Sequence, residues 1–218
     1  MGTYKERPAG AIEVILLTPG LKEQAAGVIV EAFKTEETTT YHLDMEHAAT
    51  VRRYVCLVDT FLELYLAAGR PLFAAVLDGR VVGMGMVRDP RRSITAKSVI
   101  STLLPRLPRL TALFSKHPIK ALRIIRAASH PKGMTKPYFT FEVLGVHPDC
   151  QGKGIGRQIM EEVQSFAAED PAISGIYLNT GSVKNQEFYE RRGYLTLKVV
   201  DLDVAKVYHM FWQNPAFG

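Results

Sequence analysis

Two cysteines in 218 residues, Cys56 and Cys150, are too few for a disulfide framework, and neither belongs to a Cys-x-x-Cys pair. Both read as reduced thiols of a cytoplasmic protein. No stretch approaches the ~18 consecutive apolar residues that a membrane-crossing helix needs, so no membrane span is expected. The polar segment from Met1 to Gly10 lacks the apolar core of a secretory signal. His42 and His47, in His-Leu-Asp-Met-Glu-His, match no standard ligand spacing, and no metal is expected. Internal repeats and low-complexity tracts are also missing.

Acid is scarce in one region. From Arg88 to Lys132 there are eleven basic residues and a single acid, Asp89, whereas the remaining 173 residues hold 16 basic and 21 acidic ones. The local excess suits either a solvated helical face or an anionic partner. Phe114 is the only aromatic residue of that block, so the interleaved aromatics of single-strand binders are lacking and no nucleic acid is expected.

What is present is a regular alternation of apolar patterns. Ile12–Leu17 reads as a strand. Thr18 and Pro19 then suit the start of a helix carrying Leu21, Ala25, Val28, Ile29, Ala32 and Phe33 at helical spacing. Thr35 to Thr40 breaks that pattern, and a second helix runs from about Glu46 to Ala68. Leu72–Leu77 and Val81–Val87 form a hairpin across Asp78-Gly79, where both residues tolerate positive φ. Gly83 and Gly85 in its second arm signal a close backbone approach or a bulge. Ser93–Ser129, divided by Pro105, Pro108 and Pro118, reads as two or three short inserted helices. Then come a strand (Tyr138–Val146), a glycine-rich loop, a helix to about Ala168, a strand (Gly175–Thr180) and a short helix closed by Gly193. Two terminal strands, Tyr194–Leu202 and Val204–Trp212, are joined at Asp203. The whole chain, 1–218, reads as one α+β domain around a mixed, mostly antiparallel sheet flanked by helices, with a helical insertion at about 93–129.

The loop Gln151-Gly152-Lys153-Gly154-Ile155-Gly156 joins a strand to a helix. Such a junction presents unpaired N–H groups and the positive end of the helix dipole, and a diphosphate is their natural ligand. Lys153 and Arg157 add formal charge. The third glycine comes one residue too early for Gly-x-Gly-x-x-Gly, and Gly-Lys-Ser/Thr is absent, which excludes the dinucleotide and nucleotide-triphosphate loops.

Val146-His147-Pro148-Asp149-Cys150-Gln151-Gly152-Lys153-Gly154-Ile155-Gly156 resembles the pyrophosphate loop of the GNAT N-acetyltransferases, Gln/Arg-x-x-Gly-x-Gly/Ala preceded by Val-x-Pro. Asn185-Gln186-Glu187-Phe188-Tyr189-Glu190-Arg191-Arg192-Gly193-Tyr194 resembles that family's second motif, in the right order and at the right separation. The layout of the remainder is similar to the puromycin N-acetyltransferase branch. The resemblance implies acetyl-CoA as co-substrate and direct transfer to an amine. It implies that the backbone of Leu144, Gly145 and Val146 holds the pantetheine arm, with the Val146 N–H donating to the thioester oxygen. The N–H groups from Gln151 to Gly156 would hold the pyrophosphate, Asn185 would contact the CoA arm, and Tyr189 would face the sulfur.

Acyl transfer from a thioester needs a neutral amine, a donor to the carbonyl oxygen and a proton for the thiolate. Tyrosine, with a reference pKa of about 10, suits that last role, and Tyr189 is the candidate acid. Glu142 is the only acid between Lys132 and Val146. Strand alternation sets it on one face with Tyr138, Thr140 and Leu144, in apolar company that would raise its pKa and make it a base. In some members of the family it resembles, the glutamate that serves as base stands two residues earlier, where this chain has Thr140, so a substrate-binding or structural role for Glu142 stays open. The acceptor is expected to be a primary amine of a small molecule. A protein amine, or a non-catalytic CoA-binding module whose basic insertion meets an anionic surface, are the alternatives. Monomer and homodimer are both compatible.

Overall fold

The computed structural model describes residues 10–114, 117–202 and 206–218. The link expected at Asp203, the start of the last strand at Val204, Met1–Ala9, and Ser115–Lys116 within the insertion lie outside the described residues. The elements are β1 (Glu13–Leu16), α1 (Lys22–Phe33), α2 (Glu37–His42), α3 (Ala48–Ala67), β2 (Leu72–Leu77), β3 (Arg80–Arg88), α4 (Ala96–Leu103), α5 (Leu107–Phe114), α6 (Pro118–Ala127), β4 (Phe139–Val146), α7 (Ile155–Ala168), β5 (Gly175–Thr180), α8 (Val183–Glu190), β6 (Leu195–Asp201) and β7 (Lys206–Gln213).

Local chemistry explains most of these boundaries. Asp78 (φ +48°) and Gly79 (φ +76°) both take the left-handed conformation, the two-residue turn whose twist matches a hairpin. Thr18 starts a short 3₁₀ turn, Pro19–Leu21, rather than α1 itself, and its side chain makes no capping bond. The break expected at Thr35–Thr40 is instead α2. Glu36 accepts from the Thr39 N–H and stands in for the usual Ser or Asp cap. Three consecutive β-branched threonines hide this helix from a propensity reading.

Seven strands form one sheet in the order β1-β2-β3-β4-β5-β7-β6. Every neighbouring pair is antiparallel except β4–β5. That parallel ladder contains only Phe139 opposite Ile176 and Thr140 opposite Tyr177, and beyond it the two strands part. One face of the sheet buries Phe139, Phe141, Ile155, Ile159, Met160 and Val163 beneath α7. The other buries Val28, Ile29, Leu62, Tyr65, Met84 and Met86 beneath α1 and α3.

The glycines of β3 set how closely α7 sits. A Cβ at Gly83 would lie 2.8 Å from the side chains of Ile155 and Ile159, and one at Gly85 would lie 2.7 Å from Ile159. The first turns of α7 therefore rest on bare backbone. Arg106 ties the insertion to α3 through Asp59 (3.2 Å) and Glu63 (2.7 Å), while Leu110 and Leu113 are buried. Among the described residues no helix is long and apolar enough to cross a membrane.

Candidate active site

The parting of β4 from β5 creates the site. In an antiparallel ladder, residues alternate between bonding the partner strand and facing away from it. The His147 N–H donates to the Val82 carbonyl at 2.9 Å, and Gly145 shares its phase opposite Met84. By that alternation Leu144 and Val146 turn their own N–H and C=O groups away from β3, toward the gap where β5 no longer pairs. These are groups that an extended, amide-bearing ligand arm would pair with.

A bulge decides which side chains look where. Met86 stands opposite Val143 and Val87 opposite Phe141, so Glu142 is the extra residue of β4. Upstream, Phe139 and Phe141 face α7. Downstream, Leu144 and Val146 face it too, and both approach within 4 Å of where a Cβ of Gly156 would be. The shift in parity corrects the expected alternation: Glu142 does not share a face with Leu144. It also corrects the expected apolar company. The Glu142 side chain is 31% exposed, Oε1 lies 2.9 Å from Arg88 Nε, and Oε2 accepts from the Tyr65 hydroxyl.

Arg88 is itself clamped. Its Nη2 donates to His130 Nε2 at 2.8 Å and to Thr140 Oγ1 at 3.2 Å. Arginine only donates, so Nε2 of His130 is the acceptor. Nδ1 therefore carries the proton and donates to the Tyr138 hydroxyl at 2.8 Å. Burial, with the Arg88 charge second, pushes His130 down to about 4, which keeps it the neutral acceptor this arrangement needs. Tyr65, Arg88 and His130 were not singled out by the sequence. They lie far apart in the chain, and only the sheet register assembles them.

A cleft of about 900 Å³ runs from Glu142 along the gap to the start of α7. Glu142, Leu144, Gly145, Val146, Gln151, Gly152, Lys153, Gly154, Ile155, Gly156, Arg157, Asn185 and Tyr189 all line it. Gly154 is the N-cap of α7 with φ +78°, and no side chain caps the helix. First-turn N–H groups have no intrahelical acceptor, so this end is open to an anion. One expected donor is taken: the Gln151 N–H bonds the Pro148 carbonyl at 3.2 Å, and its Nε2 bonds the Val146 carbonyl. The available cradle therefore begins at Gly152.

Side chains that the sequence did not flag complete the walls. Lys184 and Arg192 join Lys153 and Arg157 as cations, and the Arg192 guanidinium lies 3.8 Å from the centre of the Phe188 ring. Phe33, Glu36 and Thr38 come from α1 and the start of α2, and Ile124 and Ala128 come from α6 and its C-cap. Tyr189 is 8% exposed, and burial alone raises its hydroxyl above the usual tyrosine range. Among the described residues no cluster of His, Cys, Asp or Glu could hold a metal.

The comparisons agree with this geometry. A family model described as an acetyltransferase (GNAT) domain matches residues 120–195, which include β4, the loop, α7 and α8. No curated protein sequence matches the chain. Among solved structures, a histone acetyltransferase HPA2 and related acetyltransferase from Corynebacterium glutamicum is 18% identical, with a TM-score of 0.68 over 92% of this chain and 94% of that one. The C-terminal condensation domain of Ebony, solved with β-alanyl-dopamine, is 16% identical, with a TM-score of 0.62 over 94% and 99%. The PaiA N-acetyltransferase of Thermoplasma acidophilum, solved with coenzyme A, is 13% identical, with a TM-score of 0.55 over 93% and 99%. Residues 120–195 thus match a GNAT acetyltransferase domain, and over nearly its whole length the chain shares the fold of these acetyltransferase structures.

Proposed function

We propose that the protein transfers an acetyl group from acetyl-CoA directly to the primary amine of a small molecule, acting as a single domain. The observation that carries this reading is the continuity of one cleft. It joins an uncapped helix start, the unpaired edge of β4, a buried tyrosine and a carboxylate. The N–H groups from Gly152 onward would hold the pyrophosphate, with Lys153 and Arg157 beside them. Leu144, Gly145 and Val146 would align the pantetheine arm, and Asn185 would contact it.

The cleft changes character along its length. Lys153, Arg157, Lys184 and Arg192 surround the loop end. Glu142 lies four residues upstream of Val146, about 13 Å away at strand rise, and Glu36 belongs to the same lining. Cations suit a diphosphate, and carboxylates suit an acceptor that arrives as an ammonium. Glu142, with water as intermediary, would take the proton the amine must lose. As the new C–N bond forms, the Val146 N–H would donate to the carbonyl oxygen that gathers charge. As the C–S bond breaks, the thiolate would take the proton of Tyr189. Burial holds that hydroxyl protonated through neutral pH, so the acid enters each turnover loaded. Walls from α1, α2 and α6 around the acceptor end favour a small amine over a protein tail.

The test is release of free thiol from acetyl-CoA by the purified protein with a panel of small amines and peptides. Acetylation of small amines supports the proposal. Acetylation of peptides alone moves the acceptor to protein. CoA binding without thiol release from any acceptor leaves a binding module and sinks the enzymatic reading.

A further inference from the structure

The insertion carries its apolar side chains the wrong way round for a helix that only packs on its own domain. In α6 the residues turned inward are small, Ala121 and Ala127. The large ones are in solvent: Ile119 is 73% exposed, Ile125 65% and Leu122 47%. Ile100, Leu104 and Leu107, around the junction of α4 and α5, are exposed as well. Basic residues are interspersed among them. From Pro90 to Phe141 the sequence has eleven Lys and Arg and no Asp or Glu. Arg91, Arg92 and Arg106 find carboxylates elsewhere in the fold. Among the described residues no carboxylate pairs with Lys97, Arg109, Lys120 or Arg126. On the α3 side of α5, Arg109 joins Arg52, Arg53 and the exposed Val55 around a depression of about 520 Å³.

We infer that the exposed side of α6 docks on an anionic lipid bilayer. Aliphatic side chains beside unneutralised cations match the two layers of such a surface: acyl chains beneath, phosphates above. A second copy of the chain is a poor occupant, because a two-fold contact would set one acid-free face against another. Nucleic acid would use the cations but leave the isoleucines in water. Ile124 and Ala128 border the cleft from this same segment, so docking brings the cleft's rim to the lipid surface. The inference does not depend on the acetyl-transfer reading.

Vesicle sedimentation of the full chain tests it. The protein should pellet with vesicles containing about a third phosphatidylglycerol, remain in solution with phosphatidylcholine alone, and release as salt rises. Ile119→Glu combined with Ile125→Glu should lower binding at least about tenfold, since each loses a buried aliphatic side chain. Arg126→Gln, which removes an exposed cation of α6 and no aliphatic side chain, should lower it about fivefold. Leu16→Glu, at an exposed position on β1, should leave binding unchanged, and all variants should keep the wild-type melting temperature. Equal pelleting with both lipids, or none with either, overturns the proposal. So does indifference to the two isoleucine changes, which would leave a phosphate contact that an oligonucleotide could equally make. A dimer that dissociates in the Ile119→Glu/Ile125→Glu variant would show that a second copy covers the face instead.

Discussion

At the residue scale, the roles proposed for Tyr189 and Glu142 separate by experiment. Tyr189→Phe removes the proton donor and keeps the ring against Phe188 and Tyr194. The expected result is a fall in kcat of about 10²-fold with CoA affinity unchanged, measured by thiol release and calorimetry. Because burial raises this hydroxyl, its loss of proton should produce no falling limb in the pH–rate profile of the wild type below pH of about 10. Glu142→Gln should lower kcat about 10²-fold as well. Arg88→Met should do so indirectly, by releasing the carboxylate that Arg88 Nε holds at 2.9 Å. If Arg88→Met leaves kcat intact while Glu142→Gln does not, the clamp is structural and the carboxylate acts without it. Glu142 itself was legible as a lone acid before the loop. Its partners were not, because Tyr65 and Arg88 reach it only through folded neighbours.

At the element scale, the contact between β3 and α7 governs the anion cradle. Ile155 and Ile159 rest against Gly83 and Gly85, and Ile155 is also the first residue of the helix whose N-terminus is left open. Gly85→Ala would place a Cβ 2.7 Å from Ile159 Cγ2 and force α7 outward. The expected cost is about 1–3 kcal/mol of stability by urea denaturation, with weaker CoA binding as the cradle shifts. Gly154→Ala tests the cradle alone, since its φ of +78° is a left-handed cap. A loss of about 1 kcal/mol is expected, with a raised KM for acetyl-CoA and kcat retained. The close approach of these glycines was legible as a spacing in the strand. The bulge at Glu142 was not. A one-residue insertion in the ladder reverses which side chains share a face, and nothing in the run Phe139–Val146 marks it.

For the whole molecule, the sheet couples stability to pH through His130. Its folded pKa of about 4 lies below the unfolded value of about 6.5. A histidine held neutral in the folded state contributes stability above pH of about 6.5, and that stability is lost as pH falls toward about 4. His130 is only partly buried, so the contribution is about 1–2 kcal/mol after allowing for solvent. The melting temperature should therefore drop across this window. His130→Gln, which can still accept from Arg88, should flatten the drop. An unchanged slope in that variant would assign the effect to other groups, among them His209, whose pKa burial also lowers.

The sequence by itself determined the order of the strands and of the longer helices, though not α2, together with the hairpin at Asp78-Gly79, the helical insertion, the glycine loop and the second motif around Tyr189. These depend on spacing within short windows, where side-chain period, turn conformation and helix termini follow from local sterics and hydrogen bonding. Only the tertiary structure decided that β4 and β5 part after Thr140. It also decided that Glu142 is bulged and clamped by Tyr65 and Arg88, and that the large aliphatic residues of α6 face water. Each of these depends on which distant strands and helices become neighbours, and that is set by burial summed over the whole sheet.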